Sequence, residues 1–159
     1  MSNDLGKLYI EWCRFRLMSH YWPRVQRCVD ELSNDDIWWR EHETNNSIGN
    51  LLLHLTGNLN QFVLSGIGGV LDTRNKPQEF SERQQTPKDE LLRRLNDALL
   101  ETDRTLARLD PAHLLDKTRI QDRDRSIFEV LSVVLEHFAL HVGQIIYISK
   151  LRTGKDLEF

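Results

Sequence analysis

The sequence has 159 residues, 40% of them apolar and 28% charged, which is enough to bury a core and excludes a disordered chain. Its net charge of -3 argues against a nucleic-acid partner, because phosphate binding usually needs a basic face. No signal-peptide pattern starts the chain, no apolar run is long enough for a membrane span, and the two cysteines form no CxxC pair. We therefore expect one cytoplasmic domain over residues 1–159, without a membrane partner.

The first half of the chain predicts two helices. Apolar residues at helical spacing indicate a first helix from about Asn3 to Leu32. Pro23 lies inside it, and since proline removes a backbone donor and crowds the preceding turn, we expect a kink or break near His20–Trp22. A second helix, apolar on nearly all sides, should run from about Ser47 to Gly66.

The second half predicts two more helices. The third should begin with Thr86 as its cap and Pro87 in its first position, and should end at Asp110-Pro111. The fourth should begin at a capping box formed by Ser126 and Glu129 and should end before Gly154.

Long connections separate these helices, over Val70–Gln85 and Ala112–Arg125, and no strand pattern competes with the helical one. The sequence therefore predicts an all-α protein, a four-helix bundle with long connections. Because Val70–Gln85 is longer than a bundle turn requires, we expect it to border a pocket mouth or a dimer contact.

Three histidines are the candidate functional residues. His137 and His141 are four residues apart, which places both rings on one face of the fourth helix, where they can share a metal ion. His54 lies within the apolar run Leu51–Leu55 of the second helix, where an imidazole without a polar partner would cost several kcal/mol, about 2–7. Two helices thus bring histidine to the interior of the bundle, where such folds build metal sites. Core hydrogen bonding is the alternative interpretation.

Nearby polar residues fit a supporting role. Asn50 and Asn58 lie four residues before and after His54, and Gln144 lies on the face of the other two histidines. We expect these three to orient a metal ligand or a bound water, with plain core hydrogen bonding as the alternative. The sequence offers no obvious general base, since Glu136 is rotated by about 100° from its neighbour on the helix.

Two segments resemble the signatures of the DinB-like family. Ser47–Asn58 resembles its second-helix signature and Glu136–Ile145 its fourth-helix signature, while Trp38-Trp39 and Gly154–Leu157 also fit. The resemblance covers nearly the whole chain. It implies a four-helix bundle, commonly a homodimer, with a three-histidine metal site. The matching positions are His54, His137 and His141, and zinc and nickel are the metals associated with such folds.

Three imidazole ligands would leave a position open on a divalent ion, as in catalytic sites. We therefore predict a metal-dependent enzyme acting on a small molecule, either a hydrolase or a transferase that uses a low-molecular-weight thiol. The resemblance implies the second reaction type, because some members of the DinB-like family are thiol-dependent transferases. The alternative is a non-catalytic metal-binding or structural dimeric bundle. The sequence names no substrate, and imidazole ligands do not distinguish zinc from nickel or iron.

Overall fold

The computed structural model describes residues 2–83 and 86–158, and this part of the chain is mostly helical. Its α-helices are α1 (Ser2–Phe15), α2 (Trp22–Asp30), α3 (Asn34–Trp38), α4 (Ile48–Leu59), α5 (Lys76–Ser81), α6 (Lys88–Ala107) and α7 (Ile127–Thr153). Two π-helical segments, Arg16–Tyr21 and Asn60–Ser65, follow α1 and α4, and Pro111–His113 forms a 3-10 turn. The strands β1 (Lys117–Ile120) and β2 (Arg123–Ser126) pair in an antiparallel hairpin.

The first predicted helix is continuous from α1 to α2 and contains a π-helical segment where a kink or break was expected. The wider turn of Arg16–Tyr21 comes directly before α2, and Pro23 lies in the first turn of that helix. A π-bulge accommodates a missing donor without ending the helix, which explains why the chain does not break there.

The second predicted helix begins where the sequence indicates. Ser47 Oγ accepts a hydrogen bond from the Asn50 backbone, and Asn50 Oδ1 accepts one from the Ser47 backbone, 3.3 Å away. This capping box satisfies two donors that a helix start leaves unpaired. The predicted cap of the third helix is wrong, because α6 begins at Lys88 with Pro87 as its N-terminal flanking residue and no side-chain cap.

The fourth predicted helix agrees with α7 at both ends. Ser126 and Glu129 form the predicted capping box, and Gly154 adopts the left-handed conformation, with φ 66°, that favours glycine after a helix. By length and composition, α7 alone among the described helices could cross a membrane. A core helix passes the same test, and Val130, Phe138 and Ile145 of α7 are fully buried in the protein.

The expectation of no strands is wrong for the second connection. The β1–β2 hairpin turns at Gln121 and Asp122, which both have positive φ, 51° and 59°. These values match a type I′ turn, whose usual sequence signal is Asn-Gly or Asp-Gly. The strands have only four residues each and are mostly charged or polar, so they lack the alternating pattern that identifies a strand.

The core lies between the long helices and holds the candidate site in place. α4 packs against both α6 and α7, and α2 packs against α7. Leu52, Leu55 and Leu59 of α4 have no exposed surface, so the helix that carries His54 is fixed on its apolar faces.

Candidate metal centre

Three imidazoles converge between α4 and α7. Nε2 of His137 lies 2.8 Å from Nε2 of His54 and 3.0 Å from Nε2 of His141. His54 and His141 are buried and His137 is half-buried. The histidines that the sequence singled out therefore meet at one point, each with a nitrogen that can hold a metal ion.

The outer nitrogens of two rings have oxygen acceptors. Nδ1 of His54 lies 2.7 Å from Oε2 of Glu79, and Nδ1 of His141 lies 2.7 Å from Oε1 of Gln144. A carboxylate and an amide oxygen accept hydrogen bonds, so each Nδ1 carries the hydrogen and each Nε2 keeps its lone pair. Both lone pairs then face His137.

Protein groups cannot satisfy this arrangement by themselves. A neutral His137 has one ring hydrogen, which Nε2 can donate to one of its two neighbours at a time. Nδ1 of His137 is buried and has no hydrogen-bond partner among the described residues. A cation at the meeting point would accept all three Nε2 lone pairs. Metal–nitrogen bonds of about 2.0–2.1 Å at tetrahedral angles would place the nitrogens roughly 3.3 Å apart. The rings would therefore have to move apart by only a few tenths of an ångström, about 0.3–0.5 Å, to admit the ion.

The two histidines of α7 are suited to metal binding because burial favours their neutral form. Burial, followed by the proximity of His141 and His54, lowers the pKa of His137 to about 3. Burial also lowers the pKa of His141, although its hydrogen bond to Gln144 acts in the opposite direction. Unprotonated nitrogens are what a metal ion requires.

Glu79 on α5 is a site residue that the sequence reasoning missed. The residue is 9% exposed, and its carboxylate receives two hydrogen bonds from Arg74, from Nε at 2.8 Å and from Nη2 at 2.9 Å. Burial alone would raise the pKa of Glu79, but the hydrogen bonds from His54 and Arg74 outweigh it and lower that pKa. The ionised carboxylate therefore fixes the tautomer of His54.

Arg74 is held in turn by Gln61. Oε1 of Gln61 accepts hydrogen bonds from Nη1 of Arg74 at 3.1 Å and from Nε2 of Gln121 at 2.7 Å. A polar chain thus runs from the turn of the β1–β2 hairpin through Gln61, Arg74 and Glu79 to His54.

Gly57 explains how this pair of charges reaches the helix. A Cβ atom at position 57 would lie 2.0 Å from Oε1 of Glu79 and 3.0 Å from Nε of Arg74. Glycine within a helix costs about 1 kcal/mol relative to alanine, so its presence needs a packing reason. Here the reason is the close approach of the buried ion pair to α4.

The predicted supporting residues have different positions. Gln144 contacts His141 directly. Asn50 instead donates to the backbone oxygens of Glu79, at 2.8 Å, and of Glu82, at 3.3 Å, so it holds the segment that carries Glu79. Asn58 is buried, but its Oδ1 has no hydrogen-bond partner among the described residues.

The long connection borders the histidines, as expected for a segment at a pocket. Phe80 of α5 packs against His54, with ring centroids 4.5 Å apart. A cavity of about 600 Å³ lies between this segment, α4 and α6; its lining includes Arg74 and Glu79 but none of the three histidines. Gln84 and Gln85, at the end of the predicted connection, lie outside the described residues.

Comparisons with known proteins agree with this fold. The model of a family described as "Protein of unknown function (DUF1572)" matches residues 4–159. The chain belongs to this family. A DinB-like protein from Bacillus cereus, known from a crystal structure, superposes with a TM-score of 0.70 over 92% of this chain and 94% of that one, at 14% identity. No curated protein matches the sequence. The predicted DinB-like helical bundle is confirmed.

Two helical glycines of this DUF1572 protein, Gly57 and Gly143, provide a matched pair of variants that tests the close approach of Glu79 to α4. A Cβ at Gly143, in the middle of α7, would meet nothing within 4 Å, so Gly143→Ala should raise the free energy of unfolding by about 1 kcal/mol through helix propensity. Gly57→Ala should lower it, because the added methyl group displaces the carboxylate that His54 and Arg74 bind. Urea unfolding followed by circular dichroism measures both; an increase for Gly57→Ala would contradict the close approach described above.

The low pKa of His137 predicts a pH dependence of stability in the metal-free protein. Unfolding releases the ring to its ordinary pKa of 6.5, whereas the folded value is about 3. The contribution of His137 to stability is therefore fully present above pH 6.5 and is lost as the pH falls through 6.5 toward 3. After treatment with a chelator, the free energy of unfolding should fall less in His137→Gln than in the parent when the pH is lowered from about 7.5 to about 5.5. Carboxylates of ordinary pKa titrate below this range and so contribute little to the difference. His42→Gln changes an exposed loop histidine and should match the parent; equal slopes in all three proteins would refute the prediction.

Proposed function

We propose that this DUF1572 protein is a metal-dependent enzyme that acts on a small molecule, as a hydrolase or as a transferase that uses a low-molecular-weight thiol. The observation that carries the proposal is the convergence of three Nε2 atoms: those of His54 and His141 lie 2.8 and 3.0 Å from that of His137. The three ring nitrogens have fewer hydrogens to donate than lone pairs to accept them. His54, His137 and His141 would hold one divalent cation. Zinc and nickel both accept imidazole, and we propose one of these two.

Three protein ligands leave a coordination position for water or substrate, which distinguishes catalytic sites from structural sites closed by four ligands. When bound, such a cation lowers the pKa of a water molecule towards about 7 or keeps a thiol deprotonated. The protein's own contribution is positional. Glu79 and Gln144 accept the Nδ1 hydrogens of His54 and His141 and so aim both Nε2 lone pairs inward.

A cytoplasmic location fits the thiol chemistry within this proposal. Cys13 and Cys28 are both buried and form no disulfide. Such cysteines are typical of a reducing compartment, where low-molecular-weight thiols are abundant.

The first prediction of the proposal concerns metal content. Protein purified without chelator should carry close to one equivalent of zinc or nickel by elemental analysis, and His54→Ala, His137→Ala and His141→Ala should each lose most of it, because two imidazoles bind far more weakly than three. His42→Ala removes an exposed histidine of a loop and should retain the metal.

Two outcomes would favour the alternative of a structural bundle. Less than about a tenth of an equivalent in the parent, unchanged in the histidine variants, would contradict metal binding. Metal that is bound but has no exchangeable water, seen in the visible spectrum of a cobalt-substituted protein, would contradict an open catalytic site.

We also propose that the protein is a homodimer that associates through α1. One face of that helix carries an exposed apolar stripe, which we call the α1 stripe, in which every side chain is at least half exposed: Leu5, Leu8, Trp12 and Phe15. Apolar side chains that recur at this spacing on a soluble protein indicate a protein–protein contact.

Charge placed in the α1 stripe should separate the subunits. We expect Leu8→Glu to convert a dimer to a monomer in sedimentation equilibrium at micromolar concentration, because the carboxylate would be buried without a partner. Leu71→Glu introduces the same charge at a position in the connection after α4 that is 82% exposed, and should leave the dimer intact. A parent protein that is monomeric at 100 μM, about a hundred times the concentration at which a micromolar dimer would form, would exclude this interface.

A further inference from the structure

Gln61 lies outside the three-histidine cluster but is tied to it through other side chains. It belongs to the π-helical segment Asn60–Ser65 and follows His54 by seven residues. Two helical turns separate the two residues by about 10 Å along the helix axis. Short π-helical turns recur at functional sites, because they give a side chain a direction that a regular helix would not.

The amide of Gln61 joins three parts of the chain. Its Nε2 donates to Oδ2 of Asp72 at 2.7 Å, and its Oε1 accepts from Nη1 of Arg74 at 3.1 Å and from Nε2 of Gln121 at 2.7 Å. An amide oxygen has two lone pairs, and both are used here. The direction of the amide is fixed, because the carboxylate of Asp72 only accepts and the guanidinium of Arg74 only donates.

Asp72 and Gln61 together hold Arg74. Oδ1 of Asp72 accepts from the backbone nitrogen of Arg74 at 3.0 Å, and the hydrogen bonds from Gln61 and from this backbone lower the pKa of Asp72. The Arg74 side chain is 3% exposed, and Nε and Nη2 donate to Glu79 while Nη1 donates to Gln61. Without the Gln61 oxygen, a buried guanidinium would lack an acceptor and would turn toward another one.

The direction of Arg74 sets the direction of the Glu79 carboxylate. Nε and Nη2 of Arg74 bind the two oxygens of Glu79 side by side, and one of these, Oε2, accepts the Nδ1 hydrogen of His54 at 2.7 Å. If the guanidinium turned away, the carboxylate could rotate and the hydrogen of His54 could move to Nε2. That nitrogen faces His137, and a nitrogen that carries a hydrogen does not bind a cation.

We infer that Gln61 is a positioning residue of the metal centre: by accepting the Nη1 hydrogen bond of Arg74, it holds Glu79 and His54 in the arrangement that binds a divalent cation. The inference rests on the proposed function, because it requires that the three imidazoles bind the ion. The alternative is that Gln61 only ties the connection after α4 to the helix, through Asp72. The two roles use different atoms of one amide, Oε1 and Nε2, so substitution can separate them.

Two variants of Gln61 distinguish these atoms. Gln61→Met has nearly the same length but neither accepts from Arg74 nor donates to Asp72. Gln61→Glu keeps an oxygen for Arg74 but loses the donor and brings a second carboxylate to Asp72, so it breaks the tie to Asp72 alone. Gln26→Met makes the first change at an exposed position of α2 and is the control.

The test is titration of chelator-treated protein with cobalt(II), followed by visible absorption. We expect Gln61→Met to bind cobalt at least about tenfold more weakly than the parent, because loss of the outer hydrogen bonds of a ligating histidine costs roughly 10–100-fold in metal affinity. Gln61→Glu and Gln26→Met should bind as tightly as the parent. Both Gln61 variants should melt at a lower temperature without metal, since both lose the hydrogen bond to Asp72.

Two results would overturn the inference. One is unchanged cobalt affinity in Gln61→Met. The other is equal weakening in Gln61→Glu, because the loss would then follow the bond to Asp72. Should Gln61→Met fail to fold, Gln61→Asn takes its place: this amide is one methylene shorter, its oxygen is withdrawn from Arg74, and cobalt binding should again weaken.

The metal-free protein gives a readout that does not depend on the proposed function. The Nδ1 hydrogen of His54, bound to a buried carboxylate, should give a downfield proton resonance that exchanges slowly with water and is absent in His54→Gln. This resonance should persist in Gln61→Glu and disappear in Gln61→Met; its persistence in Gln61→Met would also overturn the inference.

The two readouts separate the failure of this inference from that of the proposed function. A parent protein that binds no cobalt but shows the expected resonances would refute the metal-dependent enzyme and support the orientation of His54 by Gln61. A parent that binds cobalt, with the same affinity in Gln61→Met, would leave the metal site standing and refute the positioning role.

Discussion

The three buried imidazoles at the centre of this bundle have too few ring hydrogens to form hydrogen bonds with one another. Three imidazole nitrogens meet between α4 and α7, and the tautomers fixed by Glu79 and Gln144 leave only one ring hydrogen for the three. Burial lowers the pKa of His137 and of His141, so these two rings do not readily gain the missing hydrogen by protonation. The apolar surroundings that make the fold stable therefore also leave three nitrogens in an arrangement that could hold a cation.

The connection before α6 is as important to the site as the helices that carry the histidines. Glu79 brings a buried negative charge to His54, and Arg74 brings the positive charge that makes this burial tolerable. Because Gly57 has no Cβ, the ion pair can lie directly against the backbone of α4. Asn50 donates a hydrogen bond to the backbone carbonyl of Glu79. A buried ion pair with satisfied hydrogen bonds thus orients one ring, and breaking it would leave an uncompensated buried charge.

Much of the fold, and the meeting of three histidines, could be predicted from sequence because the signals were local. The Ser47 and Ser126 capping boxes, Gly154 and the four-residue spacing of His137 and His141 are each encoded within one or two helical turns. Glu79 and Arg74 could not be found in this way, since their role depends on contacts with residues 20 or more positions away, such as His54. The hairpin was missed because its short charged strands carry no periodic apolar pattern. Gly57 held a usable signal, since a glycine inside an otherwise apolar helix requires a neighbour that comes unusually close.

The polar chain that begins at Gln121 has one further consequence. Gln121 occupies a surface turn, whereas His54 is almost completely buried, and only Gln61, Arg74 and Glu79 separate them. Each side chain in this series is hydrogen-bonded to the next one. The orientation of a buried imidazole therefore depends on a residue at the surface of the molecule. The hairpin is then more than a link between α6 and α7: its turn supports the orientation of a histidine in the candidate metal centre, and substitutions at Gln121 are expected to be felt at that buried ring.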